Sequence, residues 1–221
     1  MKIAILTTPN QWFEKYAFEL AKQLKCALYF EDENISGYDI VFILAYHKII
    51  SKEILKRNKH NVVIHESDLP QGKGWAPLFW QVLEGKKEIV FSMFEASIGI
   101  DDGDIYMKKV LKLDGYELNE ELREKQANLT MDMCKEFIKN YNKYKIPSKQ
   151  NGIETFYSKR TPLDSELDIN KTIKEQFNLL RIVNNDEYPA FFKIDGIKYI
   201  LKIEKDVKCK SENIIQTKKF L

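Results

Sequence analysis

The 221-residue sequence has no stretch approaching ~18 uncharged apolar residues, so nothing in it reads as a membrane span. It has only three cysteines, Cys26, Cys134 and Cys209, widely separated and odd in number. That pattern forms neither a disulfide framework nor a zinc-ligand spacing, and no metal is expected. Charge of one sign is missing too. Lys plus Arg is 35 against 33 for Asp plus Glu, with 22 of each sign in the first 150 residues and 13 against 11 after them. Neither part carries the basic excess of an electrostatic nucleic-acid binder. A Gly-rich turn after the first apolar run is also absent, which excludes a dinucleotide fingerprint and a P-loop. Histidine is scarce, at three residues, so each can be weighed alone.

What is present suits a folded protein. Hydrophobic residues make up 44%, enough for a real core and against disorder. KIAILT (2–7) reads as a strand covered on both faces, TTPN as a turn, and 11–24 as a helix with Trp12, Phe13, Tyr16, Leu20 and Leu24 at helical spacing. Strands follow at 26–30, 38–45 and 61–66, with a short helix at 51–58 that Ser51 caps. This order argues for an α/β fold with a doubly wound, mostly parallel sheet. Beyond a Pro/Gly-dense loop (67–77) lie a helix (78–84), strand-like segments 87–95 and 104–111, and one long helix over 118–144. Pro147 and its neighbours read as a linker. The expected division is therefore a domain at 1–147 and, over 148–221, a linker with a small α+β appendage: a helix at 169–184 and a hairpin at 191–203 turned by Asp195-Gly196. The N-terminus reads as a strand rather than a signal peptide, so a cytoplasmic protein is expected.

Of the histidines, His60 in KRNKHN reads as part of a solvated face, and His47 as a structural residue after the third strand. His65 stands at the carboxyl end of the fourth strand, the edge where open α/β sheets gather ligands. Asp101-Asp102-Gly103-Asp104 crowds three carboxylates into four residues. A turn explains the composition, but a carboxylate near His65 would orient its ring and favour its charged form.

His65-Glu66-Ser67-Asp68-Leu69-Pro70, then Gly72-x-Gly74 and Pro77, resembles the folate-dependent formyltransferases. Their signature is N-x-H-x-S-x-L-P, a Gly-containing loop, then D-x-G-x-I, which here is Asp101-Asp102-Gly103-Asp104-Ile105. YDIVFILAYHKIISKEIL (38–55) is similar to the family's strand and pterin loop. The resemblance covers roughly 1–145 and implies a Rossmann-like formyltransferase core. TFYSKRTPLDSELD (155–168) looks like the linker and tail of sugar- and tRNA-modifying members.

What the resemblance implies is transfer of a formyl group from formyl-tetrahydrofolate, as donor and co-substrate, to an amine. His65 matches the catalytic histidine and Asp101 its partner. Lys48, Ile49 and Ile50 match the loop that holds the pterin, with Ser97, Ile100 and Asp101 in the loop opposite. The family asparagine two residues before the histidine is Val63 here, and loss of an oxyanion donor typically costs ~10²–10³ in rate. Asn61 is on the same strand face but about 13 Å away, too far to substitute; a backbone N–H, Ser67 or a substrate group must. Trp12, Trp75 and Trp80 lie near the expected cleft. Trp75, Lys73 and Asn10 are the expected acceptor contacts, Lys73 as a point charge for a phosphate. HESDLP with GKGWAP looks closest to the bacterial sugar N-formyltransferases, so the expected small-molecule substrate is a nucleotide-linked amino sugar for surface glycans. Transfer to methionyl-tRNA or glycinamide ribonucleotide is one rival, although purine-pathway members open with a Gly/Ser-rich turn this chain lacks. A folate-binding paralogue with faded activity is another. Nucleic acid and membrane are not expected partners, and the strand edge and tail hairpin are compatible with a homodimer.

Overall fold

The computed structural model describes residues 1–206, so Cys209 lies outside the described residues. The chain divides into two compact units, Met1–Arg160 and Thr161–Leu221.

The first unit runs β1 (Ile3–Leu6), α1 (Glu14–Leu24), β2 (Ala27–Tyr29), β3 (Ile40–Ile43), α2 (Lys52–Leu55), β4 (Asn61–His65), β5 (Lys73–Gly74), α3 (Pro77–Leu83), β6 (Glu88–Glu95), β7 (Ile105–Lys112), α4 (Asn119–Lys139), α5 (Tyr141–Tyr144) and β8 (Phe156–Tyr157). Its main sheet has the order β2-β1-β3-β4-β6-β7. The four strands β2, β1, β3 and β4 are parallel, while β6 and β7 continue the sheet antiparallel. This is the expected α/β fold with a mostly parallel sheet. The chain leaves β1 for β2 on one side and returns to β3 on the other, which opens a crevice at the carboxyl ends of these strands.

Strands β1 and β3 are unbroken apolar runs because both faces are covered. Ala4, Leu6, Val41 and Ile43 pack on one face with Ile35, Tyr38 and Leu55 of α2. On the alternate side Ile5 and Phe42 are fully buried, and Phe42 meets Phe137 of α4 edge to face. Register places Asn61 beside Val41 and Val63 beside Ile43. The two-residue alternation then carries His65 to the same face, one step past the end of β3.

Several boundaries differ from the sequence expectation. Helix α1 starts at Glu14 because Gln11 binds the preceding turn, donating to Thr7 Oγ1 and accepting from Phe13 N–H. The long helix breaks at Asn140 (φ −113°), leaving α5 as a single turn. The expected division at 147/148 gives way to one after Arg160, because the segment beyond Pro147 is laid on the first unit. Ser148 and Ile105 exchange both backbone hydrogen bonds (2.7 and 2.9 Å), and β8 pairs with β5. No helix among the described residues is long and apolar enough to cross a membrane.

The second unit holds a 3₁₀ turn (Pro162–Ser165), α6 (Phe177–Ile182), β9 (Ala190–Ile194) and β10 (Ile197–Leu201). Asp195 (φ 49°) and Gly196 (φ 81°) make the tight hairpin turn read from the sequence. The helix expected over 169–184 is only α6. Gln176 accepts from Asp168 N–H and donates to the carbonyls of Asp168 and Lys171, while Glu175 accepts from Thr172 N–H. Polar side chains thus occupy backbone groups that a longer helix would have paired.

Candidate active site

His65 ends β4, opposite Ser92 of the antiparallel β6, and is 7% exposed. Its Nε2 lies 2.8 Å from the Gly72 carbonyl oxygen. A carbonyl only accepts, so Nε2 carries the hydrogen and donates it. Nδ1 faces Asp101 Oδ2 at 3.7 Å, within ion-pair range but too long for a hydrogen bond. The structure therefore brings together the two residues that the motif paired.

Asp101 owes its position to backbone geometry more than to its neighbours in sequence. It sits at φ 50°, a left-handed conformation that Asp tolerates, and its Oδ2 accepts the Gly74 N–H at 2.9 Å. Gln150 Nε2 donates to the Asp101 and Gly103 carbonyls, both at 2.8 Å, and clamps the acidic turn from outside. Gly74 (φ 97°) must be glycine for a further reason: a Cβ there would stand 2.5 Å from the Tyr157 carbonyl oxygen. The loop from Gly72 to Trp75 is sewn to the 154–158 segment. Gly72 N–H donates to Thr155 Oγ1, Lys73 N–H to Thr155 O, and Trp75 N–H to Tyr157 O. Trp80 stacks on Tyr157 and donates to Ser158 O.

Nothing local in the sequence signals Gln150, Thr155 or the Gly74 N–H, which act across dozens of residues or through the backbone. Asn61 is spent on structure, its Nδ2 donating to Leu55 O at 2.8 Å. Val63 is packed with Leu69, Phe94 and Ile105, so the position of the family amide is apolar here. The buried Ser67 hydroxyl has no hydrogen-bond partner among the described residues. His60 departs from the solvated face expected of it. Its two ring nitrogens each lie 2.8 Å from a tyrosine hydroxyl, Tyr106 on Nδ1 and Tyr141 on Nε2.

On the acceptor side, Trp75 is exposed (45%) beside His47, with ring centroids 6.5 Å apart, and under the Lys159 ammonium at 4.9 Å. Burial, with Lys159 and Arg123 nearby, lowers the His47 pKa. Trp12 is stacked by Arg123, which also covers Phe79. Lys73 is buried, and its ammonium pairs with Glu154 at 2.9 Å instead of standing open to a phosphate. Asn10 is exposed at φ 55°, its N–H held by Glu14.

On the other side, a cavity of about 430 Å³ opens between α2 and the 95–102 turn; Leu55, Asn61, Ala96, Ser97 and Ile98 are in its wall. Of the expected donor contacts, Ser97 lines it. Ile49 and Ile100 project into solvent, Ile50 packs against the core, and Lys48 pairs with Glu31. Among the described residues no group of three or more His, Cys, Asp or Glu could hold a metal ion.

Comparison with known proteins fits this geometry. The sequence model of the family described as formyl transferase matches residues 5–137. A methionyl-tRNA formyltransferase of Ehrlichia ruminantium (strain Gardel) is 31% identical over 155 residues, covering 70% of this chain and 49% of that protein. The chain spans about half the length of the curated relatives it matches. Among solved structures, methionyl-tRNA formyltransferase from Clostridium thermocellum superposes with a TM-score of 0.78 at 24% identity, covering 94% of this chain and 95% of that one. A sugar N-formyltransferase from Shewanella sp FDAARGOS_354 gives 0.69 at 14% identity, with 94% and 99% covered. At these identities the superpositions show the shared fold.

Proposed function

The chain belongs to the formyl transferase family, and from that premise we propose that it moves a formyl group from formyl-tetrahydrofolate to the amine of a nucleotide-linked amino sugar. The observation that carries the reading is the His65–Asp101 pair, 3.7 Å apart at the carboxyl edge of the sheet. The turn that carries Asp101 also contributes Ser97, Ile98, Gly99 and Asp102 to the wall of the 430 Å³ cavity, which mixes polar and apolar groups. Residues 48–50 and 97–101 would hold the folate donor, which supplies the formyl carbon.

The chain's own part is proton handling and positioning. The His65 Nε2–H is fixed by Gly72, which leaves Nδ1 turned to the carboxylate. Nδ1 is the ring nitrogen left to take up a proton as the amine loses one, and the Asp101 carboxylate 3.7 Å away would stabilise the resulting charge. Val63 offers no oxyanion donor. A backbone N–H, the unpartnered Ser67 hydroxyl or a substrate group takes that role. For the acceptor, Trp75 offers an open aromatic face beside the Lys159 ammonium, a combination suited to a sugar or base carrying phosphate. The protein would act in the cytoplasm on small molecules.

The 31% identity to a methionyl-tRNA formyltransferase favours a second reading, in which the amine belongs to charged tRNA. One experiment separates the two. The protein is mixed with formyl-tetrahydrofolate and either a panel of nucleotide-linked amino sugars or methionyl-tRNA, with His65→Ala alongside. A formyl mass increment on a sugar, lost in the variant, is the expected result. An increment on tRNA alone would replace the sugar, and no increment on either would leave a folate-binding protein without transfer.

A further inference from the structure

Between 148 and 156 every residue is exposed except Gln150. Its side chain turns back onto the acidic turn, where Nε2 donates one hydrogen to the Asp101 carbonyl and one to the Gly103 carbonyl, both at 2.8 Å. That pairing fixes the amide, because the reverse orientation would set Oε1 against two carbonyl oxygens. Oε1 is left buried, with no hydrogen-bond partner among the described residues. An orphaned buried acceptor offsets part of what the two hydrogen bonds contribute to stability.

The two carbonyls stand at a boundary within the turn. On one side Gly103 is packed so closely on β6 that a Cβ would stand 1.6 Å from the Glu95 carbonyl oxygen. Its neighbours are tied down as well: Glu95 N–H donates to Asp104 O at 2.9 Å, and Ile105 pairs with Ser148. On the other side residues 97–100 are exposed, and the Ser97 hydroxyl reaches only Gly99 O and Asp102, inside the same turn. Asp101 lies between the two halves, at φ 50°. Gly74 N–H holds its carboxylate and Gln150 holds its backbone. Gln150 thus ties Asp101 to the anchored half, with the carboxylate 3.7 Å from His65 Nδ1.

We propose that Gln150 is a positioning residue, which acts through the backbone of Asp101 to hold the carboxylate against His65 and so sets the turnover of the pair. The inference rests on the formyl-transfer reading, in which that carboxylate stabilises the charge formed on His65. Without the two donors, Asp101 follows the exposed half of the turn, and displacing a catalytic group by about 1 Å can cost about 10²-fold in rate. The effect runs through Asp101, so it should vanish once the carboxylate is gone. A residue that only supported the fold would slow the enzyme equally with or without that charge.

The test uses the full chain, Gln150→Met, Gln150→Ala, Asp101→Asn and the Gln150→Met/Asp101→Asn double variant. Methionine keeps the length of the side chain and removes both donors together with the orphaned acceptor, so melting should stay within about 3 °C of wild type. At saturating formyl-tetrahydrofolate and acceptor amine, kcat should fall by about 10–100-fold in each single Gln150 variant. Adding Gln150→Met to Asp101→Asn should cost no more than about threefold further. A readout independent of turnover comes from the histidines. The chain has three, so isotope labelling of histidine nitrogen gives three sets of ring signals, and the His65 set is identified by its loss in His65→Ala. Gln150→Met should move the His65 signals in the direction that Asp101→Asn moves them, and leave those of His47 and His60 in place. Wild-type kcat in Gln150→Met, an equal loss in both backgrounds, or unmoved His65 signals overturns the proposal while leaving formyl transfer intact. If wild type transfers no formyl group to a nucleotide-linked amino sugar or to methionyl-tRNA, the formyl-transfer reading fails instead, and the His65 signals alone decide whether Gln150 holds the pair.

Discussion

Asp101→Asn isolates the charge of the candidate pair from its shape. Two opposite charges 3.7 Å apart, on side chains only 8% and 18% exposed, attract by about 4 kcal/mol at an effective dielectric near 20. That is a ceiling on what the carboxylate gives to a positive charge on His65 as the proton moves, and it corresponds to about 10³ in rate. Asparagine keeps the volume, and its amide oxygen can still accept the Gly74 N–H, so the loop should stay in place. Exchanging a charged acceptor for a neutral one there costs about 1 kcal/mol, which for a chain of this size lowers Tm by about 2–4 °C. The expected variant is therefore folded, slightly less stable, and slower by about 10²–10³ in kcat on whichever amine serves as acceptor. Thermal melts and steady-state rates on the same preparation measure both. A variant that loses the few degrees but keeps its rate within about threefold would refute the reasoning. Asp101 would then be a clamp for Gly74 and no partner of His65.

Two further substitutions test the frame around the site. Gly74→Ala puts a Cβ 2.5 Å from the Tyr157 carbonyl oxygen at a φ of 97°, so β5 and β8 must separate; a loss of about 2–4 kcal/mol is expected, with turnover falling below the melting transition too, and wild-type melting and rate would show that the β5–β8 contact is dispensable. Glu117→Gln tests acid stability: burial alone would raise the Glu117 carboxyl, but Lys125 at 2.6 Å and the N–H groups of Asp114 and Gly115 overcome it and hold the pKa at about 2. With a folded pKa below the unfolded value near 4.5, the stabilisation is present above 4.5 and lost as pH falls from there toward 2, up to about 3 kcal/mol. The variant should melt lower at neutral pH and lose less Tm on acidification than wild type, and parallel pH profiles would exclude Glu117 as the titrating group.

How much of this could be read from the chain depends on where each interaction comes from. The strands at 3–6, 40–43 and 61–65 were legible because burial on both faces demands unbroken apolar runs. The hairpin was legible because Asp195-Gly196 supplies two residues able to take positive φ. His65 and Asp101 were legible through a motif, although 36 positions separate them. Residues whose partners arrive from distant elements were not. His60 looks solvated in KRNKHN, yet Tyr106 of β7 and Tyr141 of α5 close over it. Lys73 looks free to meet a phosphate, yet Glu154, 81 positions further along the chain, pairs with it. The same holds for the loop that carries the signature. Its residues name His65, Gly72 and Gly74, but Thr155 and Tyr157 determine where Gly72 and Gly74 lie, and those two in turn hold the His65 ring and the Asp101 carboxylate. A segment that reads from sequence as the beginning of a tail is thus part of what aligns the His–Asp pair, and it acts through backbone atoms that no side-chain pattern announces.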